Sequence, residues 1–470
     1  MSNSLSARER LAIQRVVMPE LPADVRSRNF EEVNRGLSDE QALTEARRCL
    51  QCKNRPCVAG CPVGVSIPEF ITALASGELP RSARILRHDN ALPAVCGRVC
   101  PQETQCEARC VLGIKGKPVA IGYLERYVAD WAMRYPNLLP PESVSPATGM
   151  SVVVVGSGPA GLTAAGELVR FGHAVTIFEA LHVTGGVLRY GIPEFRLPKE
   201  IIDREVALLG EQGVVIECNV IIGKTLTIAE LRTQFDAVFI ANGAGLPIML
   251  NIPGENLKGV YAANEFLTRV NLMEAGRRND SSTPIIKRRE VAVIGGGNTA
   301  IDCVRTARRL GAERAMIVYR RSEAEMPARV EEIQHAREEG IEFVMLTAPT
   351  AIVGTSGGWV SALRCQKMTL GAADSSGRRR PEALESSDFE LPAGAVIDAI
   401  GTGANPLLTA TAPDLSLTGP GYILINSEGE TSIPGVFAGG DIVRGGATVI
   451  LAMGDGKRAA ATINDYLKRK

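Results

Sequence analysis

Eight of the eleven cysteines fall between Cys49 and Cys110, in two runs. The first is Cys49-x2-Cys52-x4-Cys57-x3-Cys61-Pro62, and the second is Cys96-x3-Cys100-Pro101-x4-Cys106-x3-Cys110. Eight thiols suffice for about two iron–sulfur cubanes of roughly four ligands each. Structural zinc is the competing chemistry for Cys-x2-Cys. A zinc ribbon pairs two such knuckles, whereas the second run has none, and both runs carry Cys-Pro as bacterial iron–sulfur runs do. In two-cluster ferredoxins the fourth cysteine of a run ligates the other cluster. By that logic Cys49, Cys52 and Cys57 hold one cluster and Cys61 crosses to the second. Cys218, Cys303 and Cys365 are isolated and read as small buried apolar residues.

Two glycine-rich loops follow. Gly156-x-Gly158-Pro159-Ala160-Gly161 comes after a run of valines and opens a helical pattern. Its first glycine permits a tight turn, its second lets a pyrophosphate approach the backbone, and its third lets helix and strand pack closely. The helix start supplies free N–H groups to the phosphates. Glu179, at the end of the next strand, is placed to accept from both ribose hydroxyls and repels a 2′-phosphate, so FAD fits better than NADP. Gly185-Gly186 follows it, and Gly439-Gly440-Asp441 ends a late buried strand. In flavoproteins with two dinucleotides such a strand carries an acid toward the flavin ribityl and pyrophosphate. The second loop is Gly295-Gly296-Gly297-Asn298-Thr299-Ala300. Where the first unit has Glu179 it has Tyr319-Arg320-Arg321, and an arginine there pairs with a 2′-phosphate, pointing to NADP(H). Arg308 and Arg309 read as solvent-facing helix residues.

The elements that must position these groups divide the 470 residues into about three domains. Residues 1–147 read as a helical iron–sulfur domain. Within it, a capped helix from Ser38 to Leu50 delivers Cys49 and Cys52, a helix spans Ile67–Arg87, and the cysteines sit on loops between helices. A proline-rich linker covers Pro136–Pro146. Residues 148–285 and 401–470 form an FAD-binding domain in two parts, and 286–400 an NADP(H)-binding domain inserted in it. The crossings fall near Ala237–Ala241 and Ala395–Ile400. The fold class is α+β multidomain, with two Rossmann-like units after the helical one.

Composition sets outer bounds. Lys plus Arg equals Asp plus Glu at 52 each, which gives no sign of nucleic-acid binding or of an anionic membrane partner. No apolar run nears the ~20 residues that cross a bilayer, and Met1–Arg15 has no signal-peptide core, so a cytoplasmic location is expected. Four histidines leave little material for a histidine metal site or general base.

The motifs CLQCKNRPCVAGCP, LPAVCGRVCPQETQC, AIGYLERY, GSGPAGL, GGGNTAIDC, YRR and GGDIVRGGATVILAMGDGKRAA resemble, across essentially the whole chain, the small subunit family of NADPH-dependent glutamate synthase. They are as close to the large subunit of NADH-dependent ferredoxin:NADP oxidoreductase, and the N-terminal part of dihydropyrimidine dehydrogenase is built alike. The resemblance implies adrenodoxin-reductase-like FAD and NADP domains behind the iron–sulfur domain. It implies one 4Fe-4S cluster on Cys49, Cys52, Cys57 and Cys110. It implies a second on Cys61, Cys100, Cys106 and a non-cysteine ligand at Glu125, with Cys96 left over. It adds Thr448 and Val449 to the FAD residues. Spacing alone reads Glu125 as a helix-surface charge.

The expected chemistry is hydride transfer from nicotinamide to flavin, followed by single-electron passage through the clusters. No acid or base residue is assigned. The chain has no evident site for a final acceptor, so a partner subunit is expected: a glutamate synthase large subunit or, in the alternative transhydrogenase reading, a ferredoxin-linked flavoprotein.

Overall fold

The structure, a computed structural model, describes residues 5–139, 144–276, 281–374 and 377–470. Residues 140–143 of the expected linker lie outside the described residues.

The N-terminal part is helical. Ser38 and Gln41 form a reciprocal capping box that starts the helix Asp39–Ala46. The helix stops short of the expected Leu50. The guanidinium of Arg48 donates to the carbonyls of Ile13 and Pro118 at 3.1 and 2.9 Å, and Gln51 is left-handed at φ 54°, so the chain leaves the helix before its first cysteine. The expected helix across 67–87 is two helices, Ile67–Ala75 and Leu79–Asp89. Gly77, at φ +76°, makes the break, and Pro80 begins the second turn-set at a position that needs no N–H donor. The cysteines are not all on loops. Cys57 lies in the short helix Pro56–Ala59 and Cys96 in Pro93–Val99. The last long helix of this part, Ile121–Arg134, buries the face that carries Leu124, Glu125 and Val128.

Two parallel five-stranded sheets follow. The first runs Val436–Ala438, Ala237–Ile240, Ser151–Val155, Ala174–Glu179, Val215–Cys218 in spatial order. Its central valines are buried on both faces, as a doubly covered parallel strand requires. The second runs Val260–Ala262, Ala395–Asp398, Glu290–Ile294, Arg314–Tyr319, Glu342–Met345. Val260–Ala262 thus pairs in the second sheet although it precedes residue 286. A separate antiparallel sheet of Thr347–Gly354, Val360–Ala373, Arg379–Ala383 and Phe389–Pro392 projects from the second unit.

One continuous core joins the iron–sulfur helices to the first sheet. It includes Phe70, Leu86, Val95 and Leu124 on one side and Val152, Leu162, Leu168 and Met453 on the other. The C-terminal helix Val449–Lys468 crosses Pro159–Arg170 so closely that a Cβ on Gly456 would lie 2.2 Å from the Ala160 carbonyl oxygen. The second sheet is attached instead by buried ion pairs. Arg196 reaches across to Asp302 at 2.8 Å and Glu332 at 3.2 Å, and Arg26 from the N-terminal part meets Glu339 at 3.2 Å, which Arg305 and Arg309 of the second unit itself also hold at 2.6 Å. Arg309, read from sequence as solvent-facing, is therefore buried: Glu339 takes its charge and the Phe195 ring lies 3.9 Å beneath it. No helix among the described residues is long and apolar enough to cross a membrane.

Candidate functional site

The cysteines sort into two places. Cys49, Cys52, Cys57 and Cys110 line one small hollow, walled by Ile67, Pro68, Ile71, Leu112, Val119 and Ile121. Backbone amides point at these sulfurs, as from Val119 N–H to Cys110 Sγ at 3.4 Å. Burial and the neighbouring Cys49 and Cys110 push the Cys57 thiol up to about 11. Four thiols lining one hollow are a site built for a cation.

The second place lies deeper. Cys100 and Cys106 are buried. Burial pushes the Cys61 and Cys106 thiols up and a hydrogen bond with Cys96 together with burial pushes up Cys100, and the Glu125 carboxylate adds to each. Glu125 is itself buried, not the surface charge that spacing alone suggests. Burial pushes its pKa up to about 8, opposed by a hydrogen bond from Asn90. Several other buried acids carry arginine partners: Glu45 has Arg48, Glu107 has Arg15 and Glu339 has Arg305. Glu125 has no ion pair among the described residues, and an unpaired buried carboxylate costs several kcal/mol. Its donor chemistry fits an iron cluster beside three thiols. Cys96 faces Met453 Sδ at 3.5 Å and Asn90 Oδ1 at 3.7 Å.

Four thiols around one hollow, and three thiols beside a buried carboxylate without an ion pair, are donor sets that fit iron–sulfur centres. Among the described residues Glu20, Glu331 and His335 bring three possible ligand atoms within 4.8 Å of one another, but Arg26 holds Glu20 at 3.0 Å and Arg329 holds Glu331 at 3.0 Å.

The first dinucleotide loop joins strand Ser151–Val155 to helix Pro159–Arg170. Gly156 sits at φ +103°, and a Cβ on Gly161 would lie 1.9 Å from the Gly156 carbonyl oxygen, so both turn and packing need glycine. Gly158 differs: its Cβ would meet nothing within 4 Å, and would project into the open cradle before the helix. Gly186, at φ +51°, lies with its Cβ position 3.0 Å from Gly158 Cα and closes the cradle's other side. Glu179 accepts from Ser157 N–H at 2.9 Å and from Leu181 N–H at 2.8 Å. Ser157 Oγ in turn accepts from Gly185 N–H at 3.0 Å. Ser157 was not read as a site residue; lying between two motif glycines, it carried no signal of its own. Gly440, at φ +77°, precedes Asp441, whose pKa burial pushes up to about 6 against a backbone hydrogen bond from Ala447. Thr448 caps the C-terminal helix by accepting from Leu451 N–H at 3.4 Å, with Val449 as its first residue. A cradle that a methyl would fill, an acid at the ribose end and a late Gly-Asp fit FAD.

The second loop repeats the geometry without the acid. Gly295 is at φ +141°, a Cβ on Gly296 would strike the Tyr319 ring at 2.7 Å, and Gly297 opens on the helix Asn298–Arg309 that contains Thr299 and Ala300. Asn298 Oδ1 accepts from Arg329 N–H at 3.0 Å, which ties this loop to the following helix. The two arginines after Tyr319 differ. Arg320 is exposed, whereas Arg321 is buried and donates to Asp374 at 2.8 Å and to the Arg379 carbonyl at 2.8 Å.

Comparison with known proteins decides the family. Residues 26–136 match a domain described as dihydropyrimidine dehydrogenase domain II, 4Fe-4S cluster, and residues 150–456 match pyridine nucleotide-disulphide oxidoreductase. The glutamate synthase [NADPH] small chain of Azospirillum brasilense is 37% identical over 455 residues, covering 96% of this chain and 94% of the relative. The chain belongs to the glutamate synthase small-chain family. The Escherichia coli small chain is also 37% identical, over 97% of this chain and 98% of the relative. Among solved structures, Mycobacterium tuberculosis FprA in complex with NADPH aligns with a TM-score of 0.57 at 22% identity, over 69% of this chain and 85% of FprA, a likeness of fold. As a glutamate synthase small-chain protein it is an NADPH-dependent flavoprotein oxidoreductase, with FAD, NADP(H) and 4Fe-4S iron–sulfur centres as its cofactors.

Proposed function

We propose that this chain is the electron-input subunit of a glutamate synthase-like enzyme, taking electrons from NADPH through FAD and two 4Fe-4S clusters to a larger partner subunit. The observation that carries the proposal is the presence in one chain of two glycine-rich strand–helix turns and two sets of cysteines. When bound, the flavin supplies the exchange between hydride and single-electron chemistry, and the clusters supply one-electron carriage.

The chain's residues have binding and positioning roles in this reading. The open backbone at Gly156, Gly158, Pro159, Ala160 and Gly161, with Gly186, receives the FAD pyrophosphate, and Glu179 the adenosine ribose. Gly440, Asp441, Thr448 and Val449 receive the rest of FAD. Gly295, Gly297, Asn298, Thr299 and Ala300 receive NADP(H), and Arg320 pairs with its 2′-phosphate, joined by Arg321 when Asp374 releases it. Cys49, Cys52, Cys57 and Cys110 hold the first cluster, and Cys61, Cys100, Cys106 and Glu125 the second. No side chain is required as acid or base, since hydride transfer asks only for placement.

The experiment is anaerobic titration of the purified protein with NADPH, followed by co-purification from its own host. Bleaching of the flavin band by NADPH, and recovery of a larger glutamate synthase-type subunit bound to it, are expected. A protein whose flavin ignores NADPH, or that turns over its physiological acceptor with no partner present, contradicts the proposal.

A further inference from the structure

We propose that Asn90 is the positioning residue that orients the Glu125 carboxylate as the fourth ligand of the second cluster. The inference rests on the reading of Glu125 as a ligand and goes beyond it. Asn90 is 1% exposed and ends the helix Leu79–Asp89, its N–H bonded to the Leu86 carbonyl at 3.0 Å. Its side-chain Oδ1 accepts from Leu92 N–H at 3.0 Å. A backbone N–H can only donate, so that bond fixes which way the amide faces. The NH2 group therefore points at Glu125 and donates to Oε1 at 2.7 Å. Oε2 of Glu125 accepts no hydrogen bond among the described residues and stays available as the ligating oxygen.

The backbone around Asn90 is held from the flavin side of the molecule as well. Lys457, on the C-terminal helix, donates to the Asp89 carbonyl at 2.7 Å and to the Val63 carbonyl at 3.0 Å, two residues beyond Cys61. Asp89 Oδ2 accepts from Ser66 N–H at 2.7 Å. The Leu92 N–H sets the angle of the amide and these contacts hold the backbone beside it, and among the described residues that amide is the only hydrogen-bond partner of the carboxylate. Outer partners of this kind orient metal ligands, and their loss typically costs 10–100-fold in metal affinity.

The test uses the full chain, reconstituted anaerobically, as wild type, Asn90→Leu, Asn90→Asp and Glu125→Ala. Readouts are iron and sulfide content, the low-temperature EPR spectrum of the reduced protein, and FAD content as a check on folding. Asn90→Asp keeps an acceptor for Leu92 N–H but, ionised, has no donor for Glu125. It separates loss of positioning from loss of the helix end. The expected result is that both Asn90 variants keep FAD and the first cluster's signal, while the second cluster's signal is lost or changed in g-values and iron falls from about eight toward about four per chain. Wild-type spectra and iron in both Asn90 variants, with Glu125→Ala altered, overturn the inference and leave the ligand reading standing. Wild-type spectra in Glu125→Ala overturn the ligand reading and the inference with it.

Discussion

Gly158→Ala separates ligand binding from folding at the first dinucleotide loop. Gly158 has φ −72° and ψ −178°, an extended conformation open to any residue, and its Cβ would touch nothing within 4 Å. The backbone therefore accepts alanine without strain. Replacing glycine by alanine at a helix N-cap costs up to about 1 kcal/mol, and the loss of unfolded-chain freedom returns about 0.4–1 kcal/mol. The flavin-free protein should unfold within about 1 kcal/mol of wild type. The same methyl occupies the cradle that the pyrophosphate must enter. Displacing one charge-assisted N–H bond there costs about 1.5–3 kcal/mol, or roughly ten- to hundredfold in FAD affinity. The assay is titration of flavin-free protein with FAD by fluorescence quenching, beside thermal unfolding of the same samples. Gly161→Ala is the control, because its methyl would sit 1.9 Å from the Gly156 carbonyl oxygen and must deform the turn itself. Undiminished FAD affinity in Gly158→Ala would refute the assignment of this cradle, as would flavin-free protein destabilised as much as Gly161→Ala.

Other expectations follow from buried charge. Burial pushes Glu205 up to about 7, against nearby Arg87 and a hydrogen bond from Ala94 N–H. A carboxyl raised on folding supports the fold below its unfolded pKa near 4.5 and loses that support as pH rises through 7, about 3 kcal/mol in all. Glu205→Gln should therefore gain in melting temperature over wild type between pH 5 and 8; a difference that does not change with pH contradicts this. Burial raises Glu339 too, but Arg305 and Arg309 outweigh it and hold the carboxylate down to about 2. Its contribution is present above the unfolded pKa and is lost as pH falls from about 4.5 to 2. Glu339→Gln leaves Arg309 buried without its carboxylate and Arg305 with Glu332 alone, and should cost about 3–5 kcal/mol at pH 7 in urea unfolding, with a flatter acid limb. At the second loop, Arg320→Ala should raise KM for NADPH roughly tenfold and leave NADH unaffected, read in steady-state reduction of an artificial dye. Equal effects on both nucleotides would show that Arg320 does not meet the 2′-phosphate.

Local rules with short reach were legible in the sequence. The valine strand, the glycines at 156, 158 and 161 and the Ser38–Gln41 cap each state their geometry within a few residues. Element ends were less so: Arg48 is drawn off its helix by carbonyls at Ile13 and Pro118, far away in sequence. Gly77 broke a helix that periodicity read as one, because a left-handed residue interrupts the backbone without disturbing the apolar pattern. Arg309 departs from its expected exposure because helical spacing gives a face, not what covers it, and its cover comes from Phe195 and Glu339. Glu125 had no local mark at all. Its burial, its lack of a cation and its bond to Asn90, 35 residues earlier, exist only in three dimensions. The antiparallel sheet from Thr347 to Pro392 was likewise not anticipated, since its alternation is irregular and interrupted by bulges.

Electron carriage in this chain depends on inorganic clusters filling the two sulfur sets beside a flavin. Elemental analysis of anaerobically purified protein tests this most directly, with iron, acid-labile sulfide, zinc and FAD measured on one sample. About eight iron and eight sulfide per chain, about one FAD and no stoichiometric zinc are expected. One or two zinc ions without iron or sulfide, in protein that stays colourless after reconstitution, would contradict it.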